Sequence, residues 1–157
     1  NSIKNMILFL PKSLYLLEAT NIDRAYINGM SFSTDINLLQ VSKTKFIFRL
    51  EDAKNKKTEK PIPFKPKYIL SLMQEMEYKF FKIYIDGIFT SEFYQDRFAS
   101  IKEEGRFMMN FGILFKIKSF SADITVYNIF NKKDAVDYLQ NPLPPRYIMI
   151  GILGNIL

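Results

Sequence analysis

Read two residues at a time, the stretch 107–118 separates into two sets. Phe107, Met109, Phe111, Ile113, Phe115 and Ile117 are all apolar, while Met108, Asn110, Gly112, Leu114, Lys116 and Lys118 are mixed and end in charge. Side chains of an extended chain alternate between the two faces of a sheet, so the pattern predicts a strand with one apolar and one wet face. Lys118-Ser119 makes a short break, and the pattern restarts in the opposite phase. Phe120, Ala122, Ile124 and Val126 now form the apolar set, against Ser121, Asp123, Thr125 and Tyr127. A loop is expected at 128–145. The run 146–156 then puts Ile148, Ile150, Ile152 and Ile156 on one face.

The same alternation predicts strands at 25–36, 42–50, 68–76 and 80–93. Residues 3–10 read as the tail of a further strand ended by Pro11. Tyr26, Met30, Phe32 and Ile36 are in phase, as are Phe46, Phe48 and Leu50, then Tyr68, Leu70, Leu72 and Met76. Phe81, Ile83, Ile85, Phe89 and Phe93 line the apolar face of the next strand. About eight strands result. Short turns are expected at 37–40, 77–79 and 118–119, and long loops at 11–24, 52–67, 95–105 and 128–145. Short turns at one end and long polar loops at the other are how outer-membrane barrels are built. Strands of about ten residues also suit a tilted membrane crossing. The expected fold class is therefore all-β, an antiparallel up-and-down transmembrane β-barrel. A soluble β-sandwich is the competing reading of the alternation. Tyr26, Tyr68, Tyr78, Phe80, Phe93, Tyr94 and Tyr147 sit at strand ends, where barrels carry aromatic girdles.

The 157 residues suffice for one domain and contain neither Cys nor His. That composition removes thiol chemistry, His-based acid–base catalysis and the usual zinc sites. No apolar run reaches the length of a transmembrane helix. The net charge of +6 is carried in good part by Lys54, Lys56, Lys57, Lys60, Lys65 and Lys67. Phe64 is the only aromatic in that stretch, whereas a nucleic-acid platform would interleave stacking rings with its cations. The stretch reads as a solvated loop, against the alternative of attraction to an anionic ligand, nucleic acid or lipid A phosphate, and no nucleic-acid partner is expected.

The wet faces supply the candidate site residues Lys82, Tyr84, Asp86, Glu92, Lys116 and Asp123, all expected to face the inside of the barrel. Asp86 and Glu92 would lie roughly 20 Å apart along one strand, too far for paired-carboxylate catalysis. No phosphate-cradling glycine loop or nucleophile motif occurs. No catalytic residue, cofactor or metal site is expected. The inward cations Lys43, Lys45, Arg49, Lys82, Lys116 and Lys118 are expected to pair with Asp86, Glu92, Glu75 and Asp123 across a water-filled lumen.

Several segments carry a family resemblance. Val126-Tyr127-Asn128-Ile129-Phe130-Asn131-Lys132 is similar to the V-x-N-L-F-(D/N)-K segment near the end of TonB-dependent outer-membrane receptors. Asn141-Pro142-Leu143-Pro144-Pro145-Arg146 resembles their Y-P-x-P-G-R loop, and 147–156, with Gly151, resembles the closing strand. Residues 7–11 and 21–31, and the proline-rich run 61–67, resemble further receptor segments. The departures are Ser31 for Glu, Pro145 for Gly, Gly154 for an aromatic and Ile156 for the terminal Phe. The motif residues are Asn128, Phe130, Pro142, Pro144, Arg146 and Gly151.

Such receptors enclose an N-terminal plug in a barrel of 22 strands. The resemblance implies that residues 1–157 form a single partial barrel domain, the C-terminal eight or so strands, with plug and earlier strands absent. It implies energised uptake of a scarce cargo: a ferric siderophore, cobalamin or another metal chelate. The implied partners are outer-membrane lipid, the extracellular metal chelate, and a TonB-type energy-coupling protein reached through an absent N-terminal segment. The implied location is the outer membrane of a Gram-negative bacterium. The alternative expectation is a complete eight-stranded barrel acting as an adhesin or structural protein.

Overall fold

The computed structural model describes residues 2–13, 16–38, 41–133, 136–137 and 141–154, with no side chain described at 5, 9, 11–13, 16, 17 and 23. The strands in chain order are β1 (Ser2–Ser13), β2 (Leu16–Leu38), β3 (Ser42–Asn55), β4 (Tyr68–Tyr78), β5 (Phe81–Thr90), β6 (Phe93–Tyr94), β7 (Lys102–Glu103), β8 (Arg106–Ile117), β9 (Phe120–Tyr127) and β10 (Tyr147–Gly154). Eight of them form one sheet in the order β1-β2-β3-β4-β5-β8-β9-β10, and β6 pairs with β7 alone. Every pairing is antiparallel. The meander predicted from the alternation is present, and no helix occurs among the described residues.

The turns at one end are as tight as the phase changes predict. Tyr78 pairs with Phe81 across Lys79-Phe80, and Ile117 pairs with Phe120 across Lys118-Ser119. Lys79 and Lys118 hold φ of 53° and 48°. A positive φ at the first central residue matches a two-residue turn to the twist of its strands. The turn expected at 37–40 lies partly outside the described residues. Beside it, the Val41 N–H donates to the Leu38 carbonyl at 3.1 Å.

At the opposite end the expected loop at 11–24 is overturned. β1 and β2 form a tall hairpin there, paired from Ser2↔Tyr26 to Pro11↔Leu17. Residues 16–24 of β2 stand above the last β2–β3 pair, Ala25↔Asn55. The polar residues Glu18, Asn21 and Arg24 suggested a loop. Their backbone groups are nevertheless paired with β1, which satisfies the ladder whatever the side chains are. The strict alternation of short and long connections fails at this one hairpin.

The 52–67 loop is ordered against the sheet. The Glu51, Asn55 and Ile62 N–H groups donate to the Lys67, Lys60 and Ala53 carbonyls at 2.9, 2.9 and 3.0 Å. The segment 60–67 so runs back beside β3, in the place β4 leaves above Tyr68. Pro61, Pro63 and Pro66 lack the N–H of a regular ladder, which keeps it out of the sheet proper. Two small cores form at this end: Ile22, Ala25, Ala53 and Ile62, and then Leu10, Phe64 and Phe93.

By register, Phe107, Phe111, Ile113, Phe115, Ile124 and Ile150 share one face. That face stays exposed, up to 72% at Ile152. β1 and β10 share no pairing among the described residues, so the sheet is open. β2 is also half-open, since residues 28–38 pair with β3 and with no described residue on the other side.

Candidate functional site: the polar face and the long-loop end

Register places Lys82, Tyr84, Asp86, Lys116 and Asp123 on the face opposite the exposed apolar one. Glu92 is not with them. Ser91 ends the β4–β5 ladder: its N–H donates to the Tyr68 carbonyl at 2.9 Å, and its Oγ accepts the Tyr68 N–H at 3.0 Å. Beyond it the chain leaves the sheet, and Glu92 pairs with Lys102 at 2.7 Å on the exterior of the loops. That bond holds the Lys102 ammonium above the usual lysine value. Phe93 departs with it. Expected in the aromatic girdle, it is instead buried, its ring centroid 5.9 Å from that of Phe64.

Near the middle of the polar face, the Tyr84 hydroxyl hydrogen-bonds the fully buried Thr125 hydroxyl by passing over β8. Gly112 makes that path possible: a Cβ there would stand 2.1 Å from Tyr84 Cζ. Gly151 serves Asp123 in the same way, since a Cβ would meet Asp123 Oδ1 at 2.2 Å. Asp86 accepts a hydrogen bond from Asn110 Nδ2 at 3.2 Å. The expected pairing of inward cations is realised at Lys82 alone, bonded to Glu75 at 2.8 Å. Among the described residues Lys43, Lys45, Arg49, Lys116 and Lys118 make no ion pair, although Asp35, Glu75, Asp86 and Asp123 share their face by register. A cavity of about 340 Å³ near the short turns includes Asp35, Lys43, Lys45 and Glu75 in its lining.

The motif residues have structural work at the long-loop end. Asn128 is buried with φ of 50°. Its Nδ2 donates to the Lys132 and Pro144 carbonyls, both at 2.7 Å, and its Oδ1 accepts the Lys132 N–H at 3.0 Å. Its own N–H donates to Asn110 Oδ1 at 2.9 Å. The side chain thereby ties the two ends of the 128–146 loop together, and the Asn128 backbone joins them to β8. Asn131 Oδ1 accepts the Arg146 N–H at 3.0 Å and seats the start of β10. Pro142 bridges to Val136, and Phe130 packs its ring 5.7 Å from that of Phe107.

Arg106, which sequence reasoning did not single out, is the tie between the loops. Its guanidinium bonds Glu103 at 3.3 Å, donates to the Val136 carbonyl and lies 5.6 Å over the Phe93 ring. Nothing in the local sequence marks it, because the three partners come from three segments.

No family model and no curated protein matches this chain. Solved structures do. The ferripyoverdine receptor of the outer membrane of Pseudomonas aeruginosa superimposes with a TM-score of 0.71 at 14% identity, over 98% of this chain and 23% of the receptor. The copper transporter OprC gives 0.72 at 16% identity, over 96% and 26%. The siderophore receptor PirA from Acinetobacter baumannii gives 0.69 at 14% identity, over 97% and 28%. This chain spans about a quarter of the length of each of these proteins. Its fold is that of part of the β-barrel wall of TonB-dependent outer-membrane receptors.

Proposed function

We propose that this chain is the C-terminal part of the barrel of a TonB-dependent outer-membrane receptor. The protein that carries it takes up a scarce metal chelate, such as a ferric siderophore or cobalamin, in a Gram-negative bacterium. The observation that carries the reading is the exposed apolar face. Met30, Phe32, Leu72, Met76, Ile113, Ile124, Ile150 and Ile152 lie open on one side of a single sheet. Soluble monomers rarely expose patches beyond a few hundred Å². Aromatics border this one: Tyr78, Phe80, Phe81 and Phe120 at the short turns, and Tyr68, Phe107 and Phe130 at the loops. From Phe81 to Phe89 is roughly 26 Å along the strand, or about 20 Å once tilted, close to the apolar band of membrane barrels.

The open sheet supports a segment of a wide barrel over a complete eight-stranded one, because a small barrel must join its first and last strands. The receptors for ferripyoverdine and siderophores and the copper transporter support a metal chelate as cargo. The coupling partner is a TonB-type protein that engages the plug, outside these residues. Neither role calls for catalysis, and no enzymatic activity is proposed.

Deleting the gene and measuring uptake of labelled ferric siderophores, cobalamin and copper chelates tests this directly. One of these uptakes should fall to background in the deletion strain and be abolished in the parent by a protonophore. Unchanged uptake of the whole panel, or uptake indifferent to the protonophore, would overturn the reading.

A further inference from the structure

One carboxylate of the polar face stands without a cation. Asp86 is half-buried, and across the ladders it faces Met73 and Asn110, with Tyr84 and Ile88 beside it along β5. The next cation along its own strand, Lys82, is bonded to Glu75. Asp86 makes no ion pair among the described residues. Its side-chain bond comes from a neutral amide: Asn110 Nδ2 donates to Asp86 Oδ2 at 3.2 Å. The other end of that amide is also engaged. Asn110 Oδ1 accepts the Asn128 N–H at 2.9 Å, where the β8–β9 ladder has just ended with Phe111↔Val126. The Asn110 side chain thus takes over from the ladder at the first residue of the 128–146 loop.

An asparagine amide has two orientations that exchange its oxygen and its nitrogen. Here only one serves. Turned over, Asn110 would set its oxygen against the Asp86 carboxylate and its amide nitrogen against the Asn128 N–H. Asn128 is 1% exposed, so that N–H has no water to turn to. The negative charge of Asp86 therefore selects the amide orientation that holds the loop. Through the Asn128 side chain the hold extends to the Lys132 and Pro144 carbonyls. We propose that Asp86, Asn110 and Asn128 form a relay between the polar face and the 128–146 loop, with Asp86 as its receiving end for a cationic group. A carboxylate has two oxygens, so Oδ1 of Asp86 can take an ammonium or guanidinium while Oδ2 keeps Asn110. Both partners need the same carboxylate orientation. Each therefore favours the other, and the coupling is positive and reciprocal. The proposal rests on the receptor reading for what it connects: there the polar face lines the barrel interior and the loop lies at its outer mouth. A basic group arriving inside the barrel then ties this loop down from below.

Trypsin reads the loop, because Lys132 and Lys133 are exposed within it. The protein that carries this chain is purified in detergent, and the rate of cleavage after these two lysines is measured. Heat-modifiable migration reports folding for each variant. D86A should raise the rate about fivefold, the effect of one lost hydrogen bond. N110D sets two carboxylates against each other and should raise it at least as much. The exchange D86N/N110D should bring the rate back to within about twofold of wild type. The amide at 86 then donates to the carboxylate at 110, which still accepts the Asn128 N–H. A merely structural role for either residue would not produce that rescue. Met73 stands opposite Asp86, so M73K supplies the cation. It should slow cleavage about twofold relative to M73Q, and lose that effect in a D86A background. A wild-type rate in D86A, no rescue in D86N/N110D, or equal rates for M73K and M73Q overturns the proposal. If N110D does not fold, D86A and the exchange are each compared with wild type. These rates test the relay without any cargo. Unchanged uptake of the cargo panel overturns the receptor reading instead, so the two failures are told apart.

Discussion

At the scale of residues, the polar face is held by contacts that cross strands. Gly112 is the clearest case, because its missing Cβ is occupied by the Tyr84 ring on its way to Thr125. Gly112→Ala should destabilise the barrel by about 1–3 kcal/mol, read from the urea midpoint of the protein in lipid. The loss should shrink sharply in a Tyr84→Ala background; an undiminished loss would mean that the clash lies elsewhere. Asn128→Ala removes three side-chain hydrogen bonds and leaves alanine at a positive φ, at a cost of roughly 2–4 kcal/mol. Asn128→Gly relieves the backbone and not the bonds, so it should fall between wild type and alanine in the rate of protease cleavage within 129–146. An alanine variant that resists protease as wild type does would refute the hub role. The alternation predicted that Gly112 shares a face with Lys116 and Asp123, and the motif marked Asn128. The reasons were not legible, since Tyr84 reaches Gly112 only through the β5–β8 register and Asn128 finds its partners up to eighteen residues away.

At the scale of elements, strands were legible wherever one face meets apolar surroundings. Residues 107–118 and 120–127 matched their pattern because one whole face of the sheet is apolar, which fixes every second residue. The pattern lost its meaning where that demand ends. The ribbon at 16–24 alternates nothing, and Glu92 keeps the phase of β5 one residue after Ser91 has closed it. The loop after β6 is held by a single carboxylate. Asp96 accepts the Phe98, Ser100 and Ile101 N–H groups at 2.9, 2.9 and 2.7 Å and the Ser100 hydroxyl at 2.9 Å. Burial pushes its pKa up, and these hydrogen bonds outweigh it, so Asp96 lies below its ordinary value. A depressed carboxylate contributes its stabilisation above the unfolded pKa and loses it as pH falls through the folded one. The Phe98, Ser100 and Ile101 amide shifts should therefore titrate together in acid, below about pH 4, and Asp96→Asn should abolish the titration. Amides that stay flat in wild type down to pH 2 would disprove it.

At the scale of the whole molecule, the consequences follow from edges. β10 and residues 28–38 of β2 each present a row of N–H and C=O groups with no partner among the described residues. In lipid such groups cost several kcal/mol each, so the isolated 157-residue chain should not insert as a heat-resistant barrel. Unheated and boiled samples should co-migrate on a gel, and a faster unheated band would show that the chain closes by itself. The tall β1–β2 hairpin has a mechanical meaning as well. Its upper part rises roughly 30 Å above the β2–β3 ladder, yet β2 continues unbroken through Leu38 at the other end. A pull on the tip along the strand therefore loads the pairs from Ala25↔Asn55 to Leu38↔Ser42 in parallel, as shear. It does not peel them one at a time. The strand behaves as a stiff post set deep in the sheet, able to carry a load applied at its tip without unravelling the strands that anchor it.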